Sequence, residues 1–483
     1  LEEKGNEKVG EKKTNTTIFK QGDDCLYSVR VSMVFQYGSC EMKRVNRRTF
    51  VKTTGVAGAA IGFPSIIPSS ALGKDGKAAP SERVGVGKIA CGNRSGYAGM
   101  YQRLPNSQIV AVCDPQKNRR DRDSGRFGNC PAYSDFRELL ANKDVDAVHI
   151  TTQDHWHVPI SIMAAKAGKD MYTEKPLGIS IEQDIKSRVI VDKYKRIFQY
   201  GAQQRSISHV RMGIELALNG HLGDIKETYV WAPHGESGGS ATPVIPVPED
   251  YDYDMWLGPA PKAPFCRDRA QGGGHRNGIF HIYDYAIGFM AGWGAHPMDM
   301  LQWWADNAGM KTIPKHYEAT GTLPTEGLFN TITHWDSRCT YENGLKMRFM
   351  DDQTANKAKP HEGIFGGHGT CFVGTKGWVT VNRGGWRVSS EEIRKQAKEP
   401  GDKRLVVSPD QIRNFVDCCI SREQPVDDLH SAVRSDIACH LTDISIRRGK
   451  PITWDPKKEV IVDDPEAARM ASRPMRAPWT LDV

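Results

Sequence analysis

Between residues 145 and 176 the hydrophobic pattern changes period twice. Val145, Ala147, Val148 and Ile150 make a short apolar run rich in β-branched residues, as in a parallel strand covered on both faces. Val158, Ile162 and Ala165 then follow helical spacing, Gly168 supplies a stop, and 170–173 reads as the next strand. That strand runs into Glu174-Lys175-Pro176. A lysine just beyond a parallel strand lies at the carboxyl edge of the sheet, where open α/β sheets bind ligands. The proline restricts Lys175 to extended geometry and ends the strand.

The same alternation extends to either side. Residues 83–90 read as a strand leading into the turn Cys91-Gly92-Asn93-Arg94-Ser95-Gly96 and a helix. A second strand over 108–113 ends at Asp114, Ser134 is expected to cap a helix reaching Leu140, and 197–201 is a further strand with Gln203-Gln204-Arg205 at its end. Beyond a helix over 208–219 the pattern changes. Strand-like segments at 225–231, 318–322, 331–341, 345–349, 370–374 and 378–382 follow one another, which implies an antiparallel sheet. The long insertion between the first two contains Tyr253, Trp256-Leu257-Gly258-Pro259 and the glycines of 272–274, a composition that fits a pocket-shaping loop. Two helical patterns over 409–448 are expected to pack back between the domains. The expected architecture is α/β plus α+β, with an N-terminal dinucleotide-binding Rossmann domain over 81–205. A substrate domain with an open, mainly antiparallel β-sheet and C-terminal helices follows over 206–483.

Composition narrows the function. With 483 residues and 39% hydrophobic content the chain can bury the cores of two domains. The net charge of +7 comes from Lys and Arg spread along the chain, so no nucleic-acid partner is expected, and no membrane span is read. The 11 cysteines show no CxxC spacing and read as buried free thiols. His155 and His157 flank Trp156 without a third ligand nearby, so a cofactor-lining loop is the better reading and no metal is assigned. Residues 1–41 are polar and unpatterned, and Met42 is a plausible true start. After it, Asn46-Arg47-Arg48-Thr49-Phe50 precedes a Gly- and Ala-rich run and Ser69-Ser70-Ala71, which resembles a twin-arginine export signal and implies a periplasmic protein. The other reading of this stretch is a disordered basic tail.

The turn after the first strand is a degraded glycine fingerprint, Ala90, Gly92 and Ser95, which by itself fits a structural turn equally well. Asp114 falls where a carboxylate accepts from a ribose hydroxyl, or where it simply caps the strand end. A carboxylate there repels a 2′-phosphate, favouring NAD; Lys117 and Arg119 leave NADP open. The cofactor contacts expected are Gly92, Asn93, Arg94, Asp114, Thr151, His157, Glu174, Lys175 and Gln203.

The segments Ala90-Cys91-Gly92-Asn93-Arg94, Cys113-Asp114, Trp156-His157, Glu174-Lys175-Pro176, Gln203-Gln204-Arg205 and Trp293-Gly294-Ala295-His296 together resemble the Gfo/Idh/MocA family of sugar and cyclitol oxidoreductases. The likeness runs from about Arg83 to the carboxyl terminus, and the ending around Arg473-Pro474 to Trp479 resembles an exported bacterial branch. It implies hydride transfer at a carbohydrate hydroxyl, with Lys175 and His296 catalytic and Tyr283, Asp284, His296 and Asp299 towards the substrate. Spacing alone favours a satisfied core role for His296, and for Asp299 one of capping or orienting. Arg276 and His281 are further pocket candidates. A homo-oligomer built through the C-terminal sheet is expected. Members with the usual pocket carry an aspartate four residues before the histidine, and here Gly292 stands there. Asp284 substituting, a larger substrate needing the space, or weakened activity are the three readings. A glycosidase or lyase using transient oxidation and a non-catalytic sugar-binding relative are the alternative functions.

Overall fold

Six parallel strands build the first layer: β1 (Val84–Ile89), β2 (Ser107–Cys113), β3 (Ala132–Tyr133), β4 (Ala147–Ile150), β5 (Asp170–Thr173) and β6 (Phe198–Tyr200), in the order β3-β2-β1-β4-β5-β6. They are seen in a computed structural model that describes residues 79, 82–92, 96–271, 278–399 and 401–482. The Arg47-Arg48 segment, Asn93, Arg94 and Arg276 lie outside the described residues. Strand order reverses between β1 and β4, which creates the crevice where doubly wound sheets bind their ligands. The central strands β1 and β4 are buried along their whole length, which accounts for their near-continuous apolar runs.

Two polar residues interrupt those runs. Lys88 of β1 is fully buried and paired with Asp123 of α1 (Lys117–Arg126), so its charge is matched inside the domain. His149 of β4 packs edge-on against Tyr101 and Tyr172. The crossover helix α2 (Asp154–Lys166) carries the helical spacing read at 158, 162 and 165, and α3 (Ile181–Tyr194), which the sequence reading did not single out, is capped by Ser180 accepting from the Gln183 N–H. The helix Phe136–Ala141 corrects the sequence reading: Asp135, not Ser134, caps it, accepting from the Arg137 N–H. One face of the sheet is continuous with the core of the second domain; the other is covered by the helix Gln411–Ser421, whose Ile412, Phe415 and Val416 pack with Val86, Tyr101 and Tyr172.

The second sheet has nine strands: β7 (Ile225–Ala232), β8 (His316–Thr322), β9 (His334–Thr340), β10 (Lys346–Asp351), β11 (Gly369–Gly374), β12 (Trp378–Asn382), β13 (Gly385–Val388), β14 (Ile452–Asp455) and β15 (Val460–Val462). Their order is β13-β12-β11-β7-β10-β9-β8-β14-β15. β7 and β10 pair in parallel and the other neighbours are antiparallel, so the sheet is mixed and mostly antiparallel, as the run of strands implied. Helices α4 (Ser208–Leu218), α5 (Ala295–Asn307) and α6 (Leu429–Arg448) pack on it. α6 also packs on α3, so one long helix joins the two domains, as expected for the 409–448 segment. Among the described residues no helix is long and apolar enough to cross a membrane, and Cys91 and Cys113 are buried free thiols.

Candidate active site

The loops after β1, β2, β4 and β5 open on a single cleft of ≈ 380 Å³ at the switch point, closed on its far side by Trp256, Phe280, Phe289, Gly292 and Trp293 of the second domain. At one end is the glycine turn. Among the described residues a Cβ built on Gly92 meets only the Arg119 guanidinium, at 3.7 Å, so Gly92 itself leaves space on the cleft. Ala90 holds φ +76°, a conformation that favours glycine, and the Thr151 hydroxyl lies 3.2 Å from both the Ile89 and Ala90 carbonyl oxygens. Asp114 accepts from the Cys91 N–H at 2.7 Å and the Gln116 N–H at 2.8 Å, and burial raises its carboxyl pKa. It therefore ties the turn to the end of β2 and also lines the cleft. Lys117 points away to Asp121, while Arg119 lines the cleft. A glycine turn open to the cleft, a carboxylate with lone pairs to spare and a neighbouring guanidinium fit a dinucleotide.

At the other end stands Lys175. Its Nζ donates to the Gly292 carbonyl at 2.5 Å, and the Lys175-Pro176 peptide is cis. Glu174, buried, accepts from Gln203 Nε2 at 2.9 Å, and the same amide donates to the Tyr172 hydroxyl at 3.2 Å. Gln203 thus holds Glu174 and is not itself on the cleft wall. The His157 ring sits between the Pro176 and Thr152 carbonyls, at 2.7 and 3.1 Å, and clamps the loop after β5 to the loop after β4. Burial lowers its pKa to about 4, while the two carbonyls pull the other way by favouring a proton on each nitrogen. Beside it Asp154, the first residue of α2, lines the cleft although its side chain is buried, and its Oδ2 has no hydrogen-bond partner. Burial pushes this carboxyl up to about 8, against the opposing charge of Lys175.

Residues 84–202 match the oxidoreductase family's NAD-binding Rossmann fold, and residues 215–481, more than half of the chain, match its C-terminal alpha/beta domain. The chain belongs to the Gfo/Idh/MocA oxidoreductase family. Among curated relatives, a glycosyl hydrolase family 109 protein of Shewanella pealeana is 32% identical over 166 residues, covering 29% of this chain and 35% of its own length. An alpha-N-acetylgalactosaminidase of Shewanella oneidensis is 29% identical over 167 residues, covering 29% and 36%. The chain therefore matches about a third of the length of these relatives. Among solved structures, the WlbA dehydrogenase of Chromobacterium violaceum in complex with NADH and UDP-GlcNAcA is 17% identical with a TM-score of 0.56, covering 77% of this chain and 96% of that one. At that identity the likeness is one of fold.

In this Gfo/Idh/MocA member several expected site residues stand elsewhere. His296 is 1% exposed, behind Trp293, with Nε2 3.1 Å from Arg383 Nη2; it is absent from the cleft wall. Asp299 faces the interior, where Arg205 donates to both its oxygens at 2.9 and 2.5 Å. Its place one turn after His296 on α5 turns it inward to neutralise that cation. Tyr283 and Asp284 line a separate cavity with Arg448 and Arg473; the Tyr283 ring lies 3.6 Å from the guanidinium carbons of both Arg447 and Arg473. Asp284, exposed there, does not replace the carboxylate missing at Gly292. His281 is buried against Phe289 rather than on the wall. The paired histidines are explained without a metal, since His155 Nε2 turns to the Trp256 carbonyl at 3.3 Å while His157 turns to Pro176.

Two contributors were not singled out from the sequence. Asp154 carries no signal of its own, because nothing in the spacing shows that its carboxyl is buried. Trp256 lay in the segment read as pocket-forming, but not its seat: Trp156 Nε1 donates towards the Met255 and Trp256 carbonyls at 3.2 and 3.3 Å, and Gly258, at φ +52°, lies flat on the Trp156 ring. A Cβ at 258 would fall 2.0 Å from that ring, so the glycine is what lets the insertion close over the cleft.

Proposed function

We propose that this protein is an NAD(P)-dependent oxidoreductase acting on the hydroxyl of a sugar or cyclitol. The observation that carries the reading is one cleft that joins the Gly92 turn and Asp114 at one end to the Lys175 ammonium and the buried Asp154 carboxyl at the other. A bound nicotinamide dinucleotide supplies the hydride acceptor. The chain's own residues do the rest. Gly92 leaves room for a pyrophosphate, and Asp114 accepts from a ribose hydroxyl, with Arg119 the residue through which a 2′-phosphate is tolerated. Lys175, held by the Gly292 carbonyl, donates to the reacting oxygen and stabilises the charge that develops as its proton leaves. Asp154 takes that proton. Trp256, Phe280 and Trp293 give the sugar an apolar wall and exclude water. His296 acts at one remove, supporting Trp293 from behind.

The likeness to family 109 glycosyl hydrolases favours a second reading on the same cleft, in which the hydride is returned and a glycosidic bond is cleaved. Incubation with NAD and panels of free sugars, nucleotide sugars and aryl N-acetylhexosaminides separates them. Accumulating NADH supports the dehydrogenase, and aglycone release at constant NAD supports the glycosidase. Neither event, with NAD demonstrably bound, would point to a sugar-binding relative. We also propose export, on the Arg47-Arg48 segment: the double substitution to lysine should hold the protein in the cytoplasmic fraction, and unchanged periplasmic delivery would remove the proposal.

A further inference from the structure

A second cluster of polar side chains lies behind the active-site loop, outside the cleft wall, and touches the chemistry above only through the Asp436 charge, which adds to the rise at Asp154. Asp184, in the first turn of α3, meets Asp436 and His440, one helical turn apart on α6. Each offers a ligand atom, these atoms lie within 4.8 Å of one another, and all three side chains are buried. Among the described residues it is the one such group of three. His440 Nε2 is 3.4 Å from Asp184 Oδ2 and 3.5 Å from Asp436 Oδ2.

Those separations discriminate between two accounts. An imidazolium clasped by two carboxylates should close to about 2.7–2.9 Å, as charge-assisted hydrogen bonds do. Ligand atoms held about 2.1 Å from a tetrahedral ion instead lie about 3.4 Å from one another. Both His440 distances match the second, and the whole set lies within 4.8 Å. A further observation points the same way: both oxygens of Asp184, Oδ1 of Asp436 and Nε2 of His440 are buried without a hydrogen-bond partner. A carboxylate with neither oxygen partnered, beside a second with one, would be costly to bury, and a divalent cation neutralises them. The local backbone keeps the space clear. A Cβ on Gly178 would stand 2.6 Å from Asp184 Oδ1, and the Gly178 N–H donates to Asp436 Oδ2 at 3.2 Å.

We propose that Asp184, Asp436 and His440 bind a divalent transition-metal ion of the zinc class, with one coordination place left to water. The donor set of one imidazole and two carboxylates suits zinc, cobalt or manganese better than magnesium or calcium. The ligands come from both domains, and Gly178 lies three residues beyond Lys175, so the ion fastens α6 to the loop that carries the lysine. No sequence spacing announces the site, because its members stand at positions 184, 436 and 440.

Elemental analysis of the full chain, purified without chelator, tests this together with melting of chelator-treated protein on addition of Zn²⁺. The expected result is about one equivalent of metal per chain in the wild type and its loss in the near-isosteric Asp184→Asn. Zn²⁺ should raise the wild-type Tm by about 5 °C at saturating concentration and leave the variant unmoved. If Asp184→Asn fails to fold, the wild-type arms decide alone. Wild-type protein free of metal whose Tm does not respond to Zn²⁺, Co²⁺ or Mn²⁺ would overturn the proposal. Equal metal content in wild type and a folded variant would overturn it too, by placing the ion elsewhere.

Discussion

Lys175 and Asp154 differ in how they declare themselves. The lysine follows a readable strand and is fixed by the proline after it, so its place at the sheet edge could be inferred from the sequence. The aspartate matters because of what surrounds it, and burial is a property of the folded chain. Its pKa of about 8 has a kinetic consequence with a definite sign. Below that pH the carboxyl is protonated and cannot accept a proton, so turnover should rise with pH through about 8, and Asp154→Asn should lower the rate and flatten that limb. A profile unchanged by the substitution would assign the base elsewhere. Gly292 shows the opposite balance. The sequence revealed that a carboxylate is missing, and the structure shows what stands there instead: a carbonyl that holds Lys175, with room for a Cβ that meets only Phe289 at 3.8 Å.

Among elements, the glycine turn and α5 make contrasting demands. The turn requires positive φ at residue 90 and has alanine, so Ala90→Gly should relieve strain and stabilise by up to about 1 kcal/mol, measured by chemical denaturation. A loss of stability would mean that the methyl group packs well enough to outweigh the strain. α5 is positioned by Arg205, which also donates to the Val426 carbonyl and the Ser431 hydroxyl. Arg205→Met would leave Asp299 and Asp427 buried without their cation, at a cost of about 3–5 kcal/mol. A cost below 1 kcal/mol would show that the carboxyls share a proton instead. Most strands of the first sheet and the helices α2, α4 and α6 were legible from their apolar runs and spacing, whereas α1, polar along most of its length, and α3 were not read. β13, β14 and β15 were not, being three or four residues long and stabilised by their neighbours in the sheet rather than by any pattern of their own. The resemblance put Asp299 towards the substrate while spacing left it an orienting role, and its pairing with Arg205 follows the second, since a helix position says which residues share a face but not which face meets the cleft.

At the scale of the molecule, the cleft is assembled by parts far apart in the chain. The tail closes the assembly: Arg476 donates to the Gly258 and Ala260 carbonyls, and Trp479 packs on Trp156 at 4.7 Å. The order of the two domains was readable from the switch between alternating and successive strands. The covering of the first sheet by the helix Gln411–Ser421 was not, since it rests on a contact made across more than 200 residues of chain. The proposed hydride transfer at Lys175, common to the dehydrogenase and glycosidase readings, would unite the two ends of the cleft. It is tested by single-turnover nicotinamide absorbance, with enzyme in excess over NAD and each candidate sugar supplied, comparing wild type with Lys175→Met. The account predicts that both proteins bind NAD alike and that the variant's signal forms at least about 10²-fold more slowly. Equal rates in the two proteins, or a wild type that binds no nicotinamide dinucleotide, would contradict it.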